Sequence, residues 1–266
     1  MARAAATPTD RALHGREAAV MAALGALAGF APSPVLTSRL RRAGPLLAAC
    51  DAAAAHPDEP AWGAMLDAVT VQETRLYRHP AQCALAGSLI PAGLARARAE
   101  GRPFRMLSAG CATGEEAFTL AAQALAATQD IPGSSIEVVG LDLCRPALAS
   151  AEAGVVAGGL GDPLGLVPAE LLPWLAGADG QPRLHPSLRR CLVFRRANLL
   201  DGLGAHGQFD VVFCRNVLIY LTDAARQSVV RALITALRPG GILALGPTDR
   251  SPPGLIAQGE SVWLAP

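Results

Sequence analysis

Three short stretches of this chain combine residue types and spacings that could do chemistry. The first is Leu107-Ser-Ala-Gly110-Cys-Ala-Thr-Gly114-Glu115-Glu116. Small residues stand at 110, 112 and 114, where a ligand could approach the backbone beside a helix N-terminus. A purely structural tight turn would use the same residues, so this stretch alone decides little. No Gly-Lys-Ser/Thr follows, which argues against a phosphate loop. Carboxylates at Glu115 and Glu116 would repel a pyrophosphate at the helix start, which argues against a dinucleotide. A ligand carrying hydroxyls and a positive charge suits the position better.

The second stretch is an apolar run that ends at Asp142. A carboxylate there can accept hydrogen bonds from both hydroxyls of a ribose. A helix N-cap or a solvated loop carboxylate is the alternative. The third is Phe209-Asp-Val-Val-Phe-Cys-Arg215-Asn216-Val-Leu-Ile-Tyr220. Its buried run delivers Arg215 and Asn216 to the carboxyl edge of a sheet, where open α/β sheets bind ligands. For Arg215 the competing reading is an ion pair with a surface acid. For Tyr220 it is packing between helix and sheet. S-adenosylmethionine has both the hydroxyls and the positive charge that the first stretch favours.

These groups need a sheet to hold them. Strand-like runs at 104–108, 136–140, 191–194, 209–214 and 242–245 alternate with helical patterns over 115–127, 146–153 and 222–237. That alternation predicts an α/β fold with a parallel, doubly wound sheet. Pro239-Gly240-Gly241 reads as a turn before the last strand. Residues 1 to about 12 read as a flexible tail, and 16–67 as helical, broken at 32–34 and 56–60. The expected organisation is a helical N-terminal domain over 1–67, a linker and helix over 68–100, and a main domain over 101–266. Within the last, 154–190 is rich in Gly, Pro and Leu and too long for a plain connection. With Asp179-Gly180 as a hairpin turn, it reads as an inserted subdomain at the sheet's carboxyl edge.

Composition narrows the classes. Of 266 residues, 51% are hydrophobic, enough for a sizeable core. A formal net charge of +1 predicts neither nucleic-acid nor membrane partners. The 6 cysteines are scattered without a Cys-x-x-Cys pair, and the 5 histidines lack ligand spacing, so neither a metal site nor a disulfide framework is expected. Free thiols fit a cytoplasmic setting. The apolar stretch 18–31 is too short to span a bilayer and reads as a buried or amphipathic helix.

Taken together, Ser108-Ala-Gly-Cys-Ala-Thr-Gly-Glu-Glu-Ala117, Phe209-Asp-Val-Val-Phe-Cys-Arg-Asn-Val-Leu-Ile-Tyr220 and Leu237-Arg-Pro-Gly-Gly241 resemble the chemotaxis receptor glutamate methyltransferases of the CheR type. Val69-Thr-Val-Gln-Glu-Thr74-Arg-Leu-Tyr-Arg78 fits the same family, and the similarity runs from about residue 60 onward. The resemblance implies a Rossmann-like class I methyltransferase sheet. It also implies S-adenosylmethionine as cofactor, S-adenosylhomocysteine as product, and glutamate carboxylates on the cytoplasmic domain of a methyl-accepting receptor as acceptors. By the family pattern Gln72, Thr74 and Arg78 touch the cofactor from the linker, with Gly110 in the turn. Glu116 and Asp142 bind its amino-acid and ribose parts, in an order left open. Asn198 and Leu199 frame the adenine, and Arg215 and Asn216 line the other side. Arg78 and Tyr220 lie nearest the transferring methyl as the candidate catalytic pair, with Arg78 orienting the acceptor carboxylate. His79 is set aside as incidental. The 154–190 insertion corresponds to a small β-subdomain that helps dock the receptor.

The chain departs from the family at four places. Gln72 stands for the usual Asn, and Leu76-Tyr77 for paired aromatics. The N-terminal basic helix holds only Arg39, Arg41 and Arg42, and the insertion is poor in β-branched residues. These departures keep two alternatives open: another carboxylate acceptor, or a cofactor-binding regulatory protein without turnover.

Overall fold

The computed structural model describes residues 8–156 and 161–266. Two compact units emerge: Met1–Thr70 with Tyr220–Gln227, and Val71–Ile219 with Ser228–Pro266.

The first unit is helical. α1 (Pro8–Ala28) buries Glu17, Val20, Leu24 and Ala28, the three-to-four spacing of one helix face. Helix therefore begins inside the stretch read as a tail, while residues 1–7 lie outside the described residues. α2 (Pro34–Arg42) starts where Ser33 Oγ accepts the Leu36 N–H at 3.1 Å, with proline in the first turn. α3 (Gly44–Ala49) follows, and Glu59 caps α4 (Pro60–Val69) through the Trp62 N–H at 2.9 Å. Leu36, Leu40, Leu47, Trp62, Met65 and Leu66 are buried. A distant segment completes this unit: Leu221 forms an antiparallel bridge with Phe30, and the Tyr220 carbonyl accepts the Ala31 N–H at 2.8 Å.

The second unit holds the sheet. α5 (Pro80–Ala99) leads into β1 (Phe104–Ala109), α6 (Glu115–Ala127), β2 (Ile136–Asp142) and α7 (Arg145–Ala153). After α8 (Leu172–Leu175) and α9 (Pro186–Arg190) come β3 (Leu192–Arg196), β4 (Phe209–Cys214), the part of α10 (Asp223–Thr235) from Ser228 onward, and β5 (Leu237–Leu245). A hairpin of β6 (Ile256–Gly259) and β7 (Val262–Leu264) ends the sheet. The strand order is β3-β2-β1-β4-β5-β7-β6, parallel from β3 to β5 and antiparallel at β7 and β6. This is a Rossmann-like, doubly wound α/β sheet. The chain winds outward in both directions from β1 and β4, so their carboxyl ends flank the crevice where such sheets bind ligands.

Two features correct the sequence reading. The insertion has no strand among its described residues, which exclude 157–160; it carries a 3₁₀ turn (Ala169–Leu171), α8 and α9. Its leucines 171, 175, 184 and 188 are buried with the main core rather than around a core of their own. Leucine-rich sequence poor in β-branched residues favours such short helices over a ladder. The Asp179-Gly180 turn does form, but it closes a single bridge between Ala176 and Pro182. The second correction is β5, which includes Pro239-Gly240-Gly241; its register on β4 shifts between Phe209 and Val211 to absorb them. The hairpin of β6 and β7 carried no usable sequence pattern, since all of β6 is exposed and β7 spans 3 residues.

Candidate functional site

The turn from β1 to α6 is built on left-handed backbone. Gly110, Ala112 and Gly114 have φ of 80°, 48° and 99°. A Cβ at Gly110 would lie 2.4 Å from Val217 Cγ2, and one at Gly114 would lie 2.7 Å from Phe118. Internal packing and positive φ thus account for both glycines, and neither is by itself an argument for a ligand. The turn is fixed to β2: Leu141 O accepts the Gly110 and Cys111 N–H groups at 2.7 and 3.0 Å.

Asp142 ends β2 beside that turn. Its Oδ2 accepts the Ala112 N–H at 2.8 Å, and its Oδ1 accepts the Cys144 N–H at 2.9 Å. A carboxylate has about four lone-pair positions, so both oxygens keep capacity for ligand hydroxyls. Burial raises the Asp142 carboxyl above its ordinary range, and the backbone N–H groups offset this only in part. The Asp142 carbonyl accepts the Ala197 N–H at 3.0 Å, which brings Asn198 and Leu199 to the same edge. Asn198 Oδ1 caps the 3₁₀ turn that begins at Leu199 through the Leu200 N–H at 3.2 Å. A carboxylate with spare acceptor capacity, close in the fold to Asn198 and Leu199, is a donor set that fits the hydroxyls and base of a nucleoside.

Across the crevice, Glu116 and Arg215 form a buried ion pair. Arg215 Nε donates to Glu116 Oε2 at 2.7 Å, and Ser108 Oγ donates to Oε1 at 2.7 Å. Arg215 therefore pairs with an interior acid, not a surface one. Burial pushes its guanidinium pKa down, but the Glu116 charge, Cys83 and the hydrogen bonds to both together outweigh that and raise it. Arg215 Nη1 also donates to the Arg78 carbonyl and, at 3.2 Å, to Gln82 Oε1. Gln82 Nε2 in turn donates to the carbonyls of Leu245, Glu260 and Ser261 at 2.8, 2.8 and 3.1 Å. Gln82 and Ser108 were not singled out in the sequence; an isolated buried amide and a strand serine carry no spacing signal.

Gln72, Thr74 and Arg78 belong to the segment before α5. The Arg78 guanidinium folds back on that segment, donating to Glu73 O at 2.9 Å and to Glu73 Oε1 at 3.4 Å. His79 Nε2 lies 3.3 Å from Asn216 Oδ1, so the residue set aside as incidental contacts a predicted site residue. Tyr220 groups with the helical unit, where Arg39 donates to the carbonyl of Thr70 at 2.8 Å and Arg41 to Glu17 at 3.2 Å.

Among the described residues no group of three or more His, Cys, Asp or Glu could hold a metal, and no helix is long and apolar enough to cross a membrane. The family described as CheR methyltransferase, SAM binding domain, matches residues 72–255. A chemotaxis protein methyltransferase of Vibrio parahaemolyticus serotype O3:K6 is 32% identical over 207 residues, covering 76% of this chain and 73% of that protein. A probable biofilm formation methyltransferase, WspC, of Pseudomonas putida is 35% identical over 192 residues, covering 71% of this chain and 44% of that protein. Among solved structures, the glycopeptide N-methyltransferase MtfA complexed with S-adenosylmethionine matches 57% of this chain and 53% of its own, at 18% identity and a TM-score of 0.33.

Proposed function

Because this chain belongs to the CheR methyltransferase family and is an S-adenosylmethionine-dependent methyltransferase, we propose that it methylates glutamate side chains on the cytoplasmic domain of a methyl-accepting receptor, giving glutamate methyl esters. The observation that carries this reading is the anchoring of the Arg78 segment to the end of β4 by Arg215. It fixes the Arg78 backbone, though not its guanidinium, beside the end of β4, which supports a role for Arg78 near the edge that also carries Asp142, Asn198 and Asn216. The work would take place in the cytoplasm, where the acceptor domain lies.

Bound S-adenosylmethionine supplies a methyl group activated by its sulfonium. The residues then have a task of alignment. Asp142 holds ribose hydroxyls, Asn198 and Leu199 bound the adenine, and Gln72, Thr74, Gly110 and Asn216 contact the rest. Glu116 acts through Arg215, whose position it sets. A glutamate acceptor is ionised near neutral pH, so no strong general base is needed. Arg78 orients the acceptor carboxylate, and Tyr220 bounds the methyl pocket. Both would serve to align the acceptor carboxylate with the methyl donor.

Transfer of labelled methyl to a receptor cytoplasmic fragment tests this, with base-labile label on glutamate as the expected product. Arg78→Ala should lower kcat while the protein still binds S-adenosylhomocysteine; full turnover by that variant would remove Arg78 from the catalytic pair. A second reading, another carboxylate acceptor, is favoured by two observations. Arg39 and Arg41 are engaged within their own unit, and the insertion lacks strands among its described residues, so two docking features of the family are reduced. Transfer to small carboxylic acids with none to the receptor fragment would select that reading. Cofactor binding without transfer to either would select a regulatory role.

A further inference from the structure

Two adjacent residues of the linker clasp two adjacent residues at the end of β4. Arg215 donates to the Arg78 carbonyl, and His79 Nε2 meets Asn216 Oδ1 at 3.3 Å. His79 and Asn216 both have φ of 59°, in the left-handed region that non-glycine residues rarely occupy. Such conformations persist where the surroundings over-determine them, and they cluster at ligand sites. The His79 carbonyl accepts the Cys83 N–H at 3.1 Å at the start of α5, so its backbone is fixed independently of its ring.

The contact decides which half of the Asn216 amide is available. Its carbonyl oxygen only accepts, so the His79 ring must donate from Nε2, and the Asn216 amino group is left as a donor. Burial and the charges of Arg215, Arg78 and Arg75 push the His79 pKa down, against the Asn216 bond, and so favour a neutral ring. Without this partner the amide could turn by half a rotation and present its acceptor instead.

We propose that His79 is a positioning residue of the transferase site: it holds the Asn216 carbonyl so that the Asn216 amino group is the half presented to bound S-adenosylmethionine. This rests on the reading of Asn216 as a cofactor-lining residue.

The test is a double-mutant cycle on the full chain, read by calorimetry with S-adenosylhomocysteine. His79→Ala should weaken binding about 3- to 10-fold, the size of one net hydrogen bond. His79→Asn tolerates left-handed backbone but falls short of Asn216, and should weaken it as much. His79→Gln, which keeps an amide donor with longer reach, should recover most of the loss. In an Asn216→Ala background His79→Ala should have no further effect, because the two act as one unit. Melting curves confirm that each variant is folded. Wild-type affinity in both short variants, or losses that simply add, would overturn the proposal while leaving Asn216 in place. Wild-type affinity in Asn216→Ala would overturn the cofactor-lining reading, and this inference with it.

Discussion

Arg215 and Glu116 face each other at 2.7 Å with side chains only 2% and 9% exposed. Such a pair is costly to break from one side, because the survivor is left as a buried charge. Arg215→Leu should therefore destabilise the fold by about 3–5 kcal/mol in urea unfolding. Arg215→Lys should be milder, since it keeps the charge but loses the fork that reaches Glu116, Arg78 and Gln82 together. Equal losses in the two variants would mean that geometry, not charge, is what Glu116 needs.

The raised Asp142 carboxyl gives a pH dependence of definite sign. The folded state binds this proton more tightly than the unfolded chain, so ionising Asp142 costs stability as pH rises through and above the ordinary aspartate range. With Asp142 holding ribose hydroxyls as proposed, ligand binding runs in the opposite direction, because the ionised form is the stronger acceptor for hydroxyls. Affinity for S-adenosylhomocysteine should fall on acidification sooner than an ordinary aspartate would dictate. Asp142→Asn should bind about 10- to 100-fold more weakly and lose that pH dependence, measured by calorimetry from about pH 5 to about pH 8.

Gly110 and Gly180 separate backbone strain from packing. Both have positive φ, 80° and 73°, but only Gly110 has a side chain in the way. Gly180→Ala should cost about 1–2 kcal/mol, the left-handed penalty alone. Gly110→Ala adds a clash with Val217 and should cost about 2–5 kcal/mol. It should also shift the residue before the Asp142-bonded Ala112 turn and weaken cofactor binding. Thermal melts and calorimetry on both variants check this.

Asp210 serves as a control at the opposite edge of the sheet. Arg102 grips its carboxylate with two bonds of 2.8 Å, and the Arg105 N–H adds a third at 2.9 Å. Asp210→Asn should lose about 2–4 kcal/mol of stability. Affinity for S-adenosylhomocysteine should stay unchanged at temperatures where the variant is folded.

The parallel strands and the helices between them were legible because their apolar runs are bounded by Gly, Pro and Asp. The helix over 115–127 matches its expected bounds, and β4 does too. The insertion was misread because a turn pair such as Asp179-Gly180 signals a reversal but says nothing of whether strands flank it. β6 and β7 were missed because strands of 4 and 3 residues hold too little pattern. His79 was dismissed because a single histidine has no spacing to interpret.

By itself, the sequence determined the alternation of strands and helices, the turn at Gly110–Gly114, and the delivery of Asp142, Arg215 and Asn216 to strand ends. These follow from local backbone sterics and from hydrophobic periodicity, which act over a few residues. Only the tertiary structure decided what those residues face. Glu116 spends its charge on Arg215, 99 positions away, and His79 meets Asn216 across 137. Such partners are chosen by the order in which strands assemble, and desolvation then makes each buried charge or amide keep the partner it meets.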